Sequence, residues 1–100
     1  MKLLTKALKK KLPKLYSQDN IKDPTAQVKF FCPWNQWTWY GIEFDGEDTF
    51  FGYVVGLENE LGYFSLSELK SLKGFMGLRI ERDLYFKPKL MSEIKSLYYK

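Results

Sequence analysis

Trp37-Thr38-Trp39-Tyr40-Gly41-Ile42-Glu43-Phe44-Asp45-Gly46-Glu47-Asp48-Thr49-Phe50-Phe51-Gly52-Tyr53-Val54-Val55 reads as two strands folded back on each other. From Trp37 to Asp45 the pattern alternates, with Tyr40, Ile42 and Phe44 on one face and Trp37, Trp39, Glu43 and Asp45 on the other. Asp45-Gly46 is a strong hairpin signal. A two-residue loop there sets Phe51, Tyr53 and Val55 of the return strand, Asp48 to Val55, against Tyr40, Ile42 and Phe44 as a core face. The other face, with Trp37, Trp39, Phe50 and Val54 beside Glu43, is too apolar to lie open to water, so a helix or a partner has to cover it.

Upstream of the hairpin, Val28 to Cys32 is β-branched and aromatic and stops at Pro33, which predicts a further strand. Leu4, Leu8, Leu12 and Leu15 are spaced three or four apart, Thr5 can cap a first turn and Pro13 closes the segment, predicting a short basic helix. Asp19, Asn20, Asp23 and Pro24 mark a loop. Downstream, Gly56 and Gly62 bracket a second turn before a short strand at Tyr63-Phe64. Ser65-Leu66-Ser67-Glu68 is a capping box that opens a helix ending near Gly74. Arg79 to Phe86 reads as an edge strand or an ordered loop, and Leu90 to Tyr99 as a last helix. The expected architecture is α+β, a small antiparallel sheet of three to four strands with flanking short helices, and the 100 residues make one domain, 1–100.

Charge is distributed unevenly. From Phe30 to Leu69 there is no Lys or Arg, while seven acids (Glu43, Asp45, Glu47, Asp48, Glu58, Glu60 and Glu68) and twelve of the 18 aromatic side chains fall in that stretch. The rest of the chain carries all 16 cations against 12 − 7 = 5 acids. Such polarity steers partners but makes and breaks no bonds, so binding is favoured over catalysis. Histidine is absent and Cys32 is the only cysteine, which excludes imidazole-based triads, an internal disulfide and a zinc cluster. Cys32, at the end of an apolar strand, reads as a buried small side chain. No Gly-rich phosphate loop is present. The N-terminal stretch lacks the apolar run of a signal peptide and nothing approaches a membrane span, so the expected location is the cytoplasm, with no membrane association.

Three readings of function follow, and the leading one requires no cofactor. In the first, Trp37 and Trp39 anchor a protein partner while Glu43, Asp45, Glu47, Asp48, Glu58 and Glu60 enter a basic channel on it. A homodimer through Trp37, Trp39 and Phe50 would use the same face. In the second, Lys6, Lys9, Lys10, Lys11 and Lys14 hold nucleic acid, in keeping with a net charge of +4. The lack of any cation between Lys29 and Lys70 in the sequence argues against the tryptophans as a stacking platform in that role. In the third, the pairs Glu43/Asp45 and Glu58/Glu60 serve a metal-assisted hydrolase, although acids beside turns are ordinarily solvated.

Leu12-Pro13-Lys14-Leu15-Tyr16-Ser17, Trp37-Thr38-Trp39-Tyr40, Phe51-Gly52-Tyr53-Val54-Val55-Gly56, Glu60-Leu61-Gly62-Tyr63-Phe64-Ser65-Leu66 and Ile80-Glu81-Arg82-Asp83-Leu84-Tyr85-Phe86 resemble a family of small bacterial proteins, the domain of unknown function number 2958. The resemblance extends over nearly the whole chain and brings no catalytic residue, cofactor or substrate. It implies a genetic setting, since that family is often carried by plasmids, phages and conjugative elements. Small proteins of such elements often counter host defences, including CRISPR and restriction systems, or support element transfer, and the resemblance makes this chain a candidate for such a role; joined to the non-enzymatic binding reading above, it points to an inhibitor that occludes a host defence complex.

Overall fold

The hairpin forms, but with one residue more in its turn than a two-residue loop allows. In the computed structural model, which describes residues 2–98, β3 (Thr38–Phe44) pairs antiparallel with β4 (Thr49–Val55). Away from the turn the register is the expected one, Thr38 against Val55 and Tyr40 against Tyr53. Near the turn it shifts, so that Glu43 faces Phe51 and Phe44 faces Phe50. Between Gly41 and Glu43 the register slips by one residue, a β-bulge. The bulge absorbs the extra loop residue and resets the alternation. Phe44 therefore joins Trp39 and Phe50 on one face, where the sequence placed it with Tyr40 and Ile42. Glu43 correspondingly leaves the tryptophan face and lines a groove beside Ile42.

The hairpin lies inside a five-stranded antiparallel sheet of order β5-β4-β3-β2-β6, with β2 at Val28–Phe31, β5 at Asn59–Ser65 and β6 at Glu81–Arg82. A separate two-stranded ribbon pairs β1 (Thr25–Ala26) with β7 (Lys89–Leu90). The α+β class is as expected, and the strands exceed the three or four predicted. The expected turn around Gly56–Gly62 is shorter, and β5 starts at Asn59 where the strand was expected at Tyr63. The segment after Arg79 supplies the short edge strand β6.

One face, the front, carries Val28, Phe30, Trp39, Phe44, Phe50 and Phe64. Leu3, Leu4 and Leu12 from the segment around α1 (Lys6–Lys11) cover it, together with Leu66 and Leu69 of α2 (Leu66–Ser71) and Ile80. The face that required a helix or a partner to cover it is thus closed by α2 and by the segment that carries α1. Phe50 is its centre, in ring contact with Phe30, Phe44 and Phe64 at 5.6, 4.5 and 5.0 Å. Both helices start as the sequence indicates, with the Thr5 hydroxyl accepting from Leu8 N–H and the Ser65 hydroxyl from Glu68 N–H.

The other face, the back, buries Ala26, Tyr40, Ile42, Tyr53 and Val55 beneath Met91 and Ile94 of α3 (Met91–Ser96). This helix falls within the predicted Leu90–Tyr99; Tyr99 lies outside the described residues. Its cap comes from Asp23, whose carboxylate accepts both Ser92 N–H (2.9 Å) and Ser92 O–H (2.7 Å). Among the described residues no helix is long and apolar enough to cross a membrane.

Candidate binding surfaces

The bulge separates the residues the sequence had gathered into one acidic, aromatic patch. Glu43 is buried, and its two oxygens accept the backbone N–H groups of Tyr16 (2.9 Å) and Gln18 (2.8 Å). Tyr16 sits at φ 69, a left-handed conformation that a non-glycine residue adopts at a cost, and the carboxylate holds the loop in it. Glu43 is therefore a structural anchor for the chain after α1 and is not available to a partner. Trp39 is likewise a core residue.

Asp45 is exposed but occupied. One of its oxygens accepts the N–H groups of Glu47, Asp48 and Thr49, which holds its carboxyl below the usual carboxylate range. Asp48 caps α2 through Ser67 N–H (2.8 Å) and Ser67 O–H (2.7 Å). The pairs Glu43/Asp45 and Glu58/Glu60 do not meet: β4 spans seven residues, which puts the two turns about 20 Å apart. Among the described residues no three potential metal-ligating side chains come together.

What remains at the Glu58/Glu60 end is a coherent surface. Trp37, 37% exposed, packs its ring against Trp39 at 6.0 Å and lies flat over Gly56, where any Cβ would collide with it. It is the wall between two open depressions, of about 570 Å³ beside Asn59 and Tyr98 and of about 420 Å³ lined by Cys32, Trp34, Trp39, Glu68, Leu72 and Lys73. Leu57 is 94% exposed in the adjoining turn, and Glu58 and Glu60 are exposed beside it. All three tryptophans thus meet at one end of the sheet. Trp34 is held there by Gly74, which lies beneath its ring much as Gly56 lies beneath Trp37. The glycines read as turn residues in the sequence, and only their flat packing under indoles reveals the second role. Glu68 and Lys73, distant in the chain, were not foreseeable as neighbours of the tryptophans.

The back of the sheet carries a groove of about 590 Å³ between α3 and the loop 18–24, floored by Ile42, Phe51 and Leu61. Burial, reinforced by the 2.6 Å hydrogen bond to the Tyr98 hydroxyl, pushes the Tyr40 phenol upward, so it stays protonated. Of the basic residues, Lys6, Lys9, Lys10, Lys11 and Lys14 are all exposed, and among the described residues none forms an ion pair with a carboxylate. Cys32 is buried, as its strand-end position suggested.

The chain is thus a small α+β domain with an exposed indole and flanking acids at one end of its sheet and a lysine-rich helix elsewhere. The chain belongs to the family described as Protein of unknown function (DUF2958), which matches residues 3–96. No curated protein and no solved structure matches it.

Proposed function

We propose that the protein is a non-enzymatic binding protein whose partner is another protein, engaged at the Trp37 end of the sheet and occluded by it. The observation that carries this reading is the position of Trp37, half-open between two depressions with Leu57 beside it. Tryptophan in such a setting is the residue type that most often dominates an interface when a partner closes over it. Glu58 and Glu60 form the polar rim and favour a partner with a basic surface. The absence of histidine and the commitment of Glu43, Asp45 and Asp48 to backbone amides and a helix cap speak for binding over catalysis. A host defence complex is the partner this reading would try first, on the strength of the genetic setting the family resemblance implies.

The test is affinity capture from nuclease-treated lysate of a bacterial host, with wild type, Trp37→Ala and the double variant Glu58→Lys/Glu60→Lys compared side by side. A stoichiometric protein retained by the wild type and lost by both variants supports the reading. Retention unchanged by either variant overturns it. Thermal unfolding of each variant, with Tm held near the wild-type value, keeps a folding defect from being mistaken for lost binding.

A further inference from the structure

The cations of the two ends of the chain, far apart in sequence, lie over one face of the sheet. The segment 3–12 turns Leu3, Leu4 and Leu12, and the segment 66–80 turns Leu66, Leu69 and Ile80, inward onto the front-face phenylalanines. Their opposite sides point outward from that same face. On the first segment and its flank these are Lys2, Lys6, Lys9, Lys10 and Lys11; on the second, Lys70, Lys73 and Arg79, all exposed. The Arg79 guanidinium donates to the Lys70 carbonyl at 3.0 Å, which fixes two of these positions together. Glu68 is the one acid on the outer side of the second segment, and it is engaged in the capping box with Ser65.

Among these cations the loop between α2 and β6 presents an apolar tip. Gly74 N–H donates to the Leu78 carbonyl at 2.8 Å, Leu78 N–H to the Phe75 carbonyl at 3.2 Å, and Lys73 bridges to Arg79 across the base. At the apex Phe75 is 69% and Met76 93% exposed. Met76 has φ 57, so the backbone adopts a costly left-handed conformation at a place where its side chain gains no burial. The loop is braced from below by Trp34 over Gly74. An exposed aromatic ring on a backbone-braced loop whose base carries Lys70, Lys73 and Arg79 has the composition of a stacking site for an unpaired base whose phosphates are held by nearby cations. The tryptophan region had failed this requirement in the sequence for lack of nearby cations.

We infer that this helical face binds single-stranded nucleic acid, with Phe75 stacking on a base and Lys70, Lys73 and the lysines of α1 tracking the phosphates. The site shares Lys73 with the rim of the smaller depression beside Trp37, but Phe75 and Lys70 lie outside that lining, so Phe75→Ala and Trp37→Ala test the two surfaces separately. A lipid surface would answer to the same charges but not to an unpaired base, and it enters the test as a rival.

Fluorescence anisotropy of a labelled oligothymidine of about 16 nucleotides, a length within the site sizes of single-strand binders, is measured against salt for wild type, Phe75→Ala and Lys70→Gln/Lys73→Gln. The same variants are titrated with the matching duplex and with phosphatidylserine vesicles. Phe75→Ala weakens single-strand binding about tenfold, as expected for losing one base stacked on an aromatic ring, and leaves duplex binding nearly unchanged. The double lysine variant lowers the slope of log affinity against log salt by about 0.7 per lysine. No binding to the oligonucleotide, tighter binding to the duplex, or binding insensitive to both variants overturns the inference, as does a preference for the vesicles. Because Phe75, Lys70 and Lys73 are exposed, an unchanged Tm certifies that the fold is intact.

Discussion

The two faces of the sheet are built on different principles. The front is a stack of phenylalanines sealed by leucines of α2 and of the chain flanking α1, with no carboxylate in it. The back holds its residues with polar groups inside or at the margin: the Glu43 carboxylate on two amides, the Tyr40–Tyr98 hydroxyl pair and the Asp23 cap on α3. One face is held by apolar area, which any close packing of similar volume satisfies. The other depends on a few bonds whose partners are specific, so each is harder to replace.

That contrast can be broken most severely at the front. Phe50→Ala removes the ring at the centre of three aromatic contacts and should lower stability by about 4 kcal/mol, read as a shifted midpoint in urea with the m-value retained. At the back, Glu43→Ala leaves two backbone donors without their acceptor and should cost about 3 kcal/mol. Glu43→Gln should lie between wild type and Ala, because one amide oxygen still accepts; a Gln variant as weak as Ala would show that charge, not geometry, holds the loop after α1. Tyr98→Phe isolates the hydroxyl pair and should cost about 1 kcal/mol, with local hydrogen exchange rising at α3 before anywhere on the front.

The smallest effect sharpens the comparison through pH. Asp45 is held below its ordinary range by the amides of its turn, and Asp23 by the Ser92 hydroxyl and amide. A carboxyl whose folded value is depressed contributes stability above its unfolded value and loses it as pH falls through the folded one. Acid should therefore loosen the turn at Asp45 and the α3 cap, both on exposed carboxyls, while the front core is indifferent. Asp23→Asn should flatten the acid limb of the stability curve; an unchanged limb would mean that the cap contributes nothing to the pH dependence.

The front was the more legible face. Leucine spacing, the Thr5 cap and the Ser65–Glu68 box located α1 and α2, because each signal is contained within one turn of helix. The back was less so, since its determinants join distant residues: Asp23 caps a helix 69 residues away and Glu43 reaches back to Tyr16 across 27. The candidate binding residues were dispersed by several contacts, of which the bulge is one: Trp39 packs into the core, Asp45 holds its own turn and Asp48 caps α2. Strict alternation put Glu43 beside Trp37 and Trp39, and a single extra residue near Gly41 sent it to the opposite face. Trp37, Glu58 and Glu60 remain exposed at the end of the sheet away from that slip. The lysines of α1 were visible as a basic helix, but not their meeting with Lys70, Lys73 and Arg79.

By itself, then, the sequence determined the class of the fold, the hairpin and its distal register, and two of the three helix starts, since these follow from periods of two and 3.6 residues and from caps within a turn. Only the tertiary structure decided which aromatic residues are core and which acids are structural, and that the cations of two remote segments share one face. Those outcomes depend on a bulge and on how two leucine-bearing segments pack onto the same layer of phenylalanines, and neither leaves a local trace for a pattern to register.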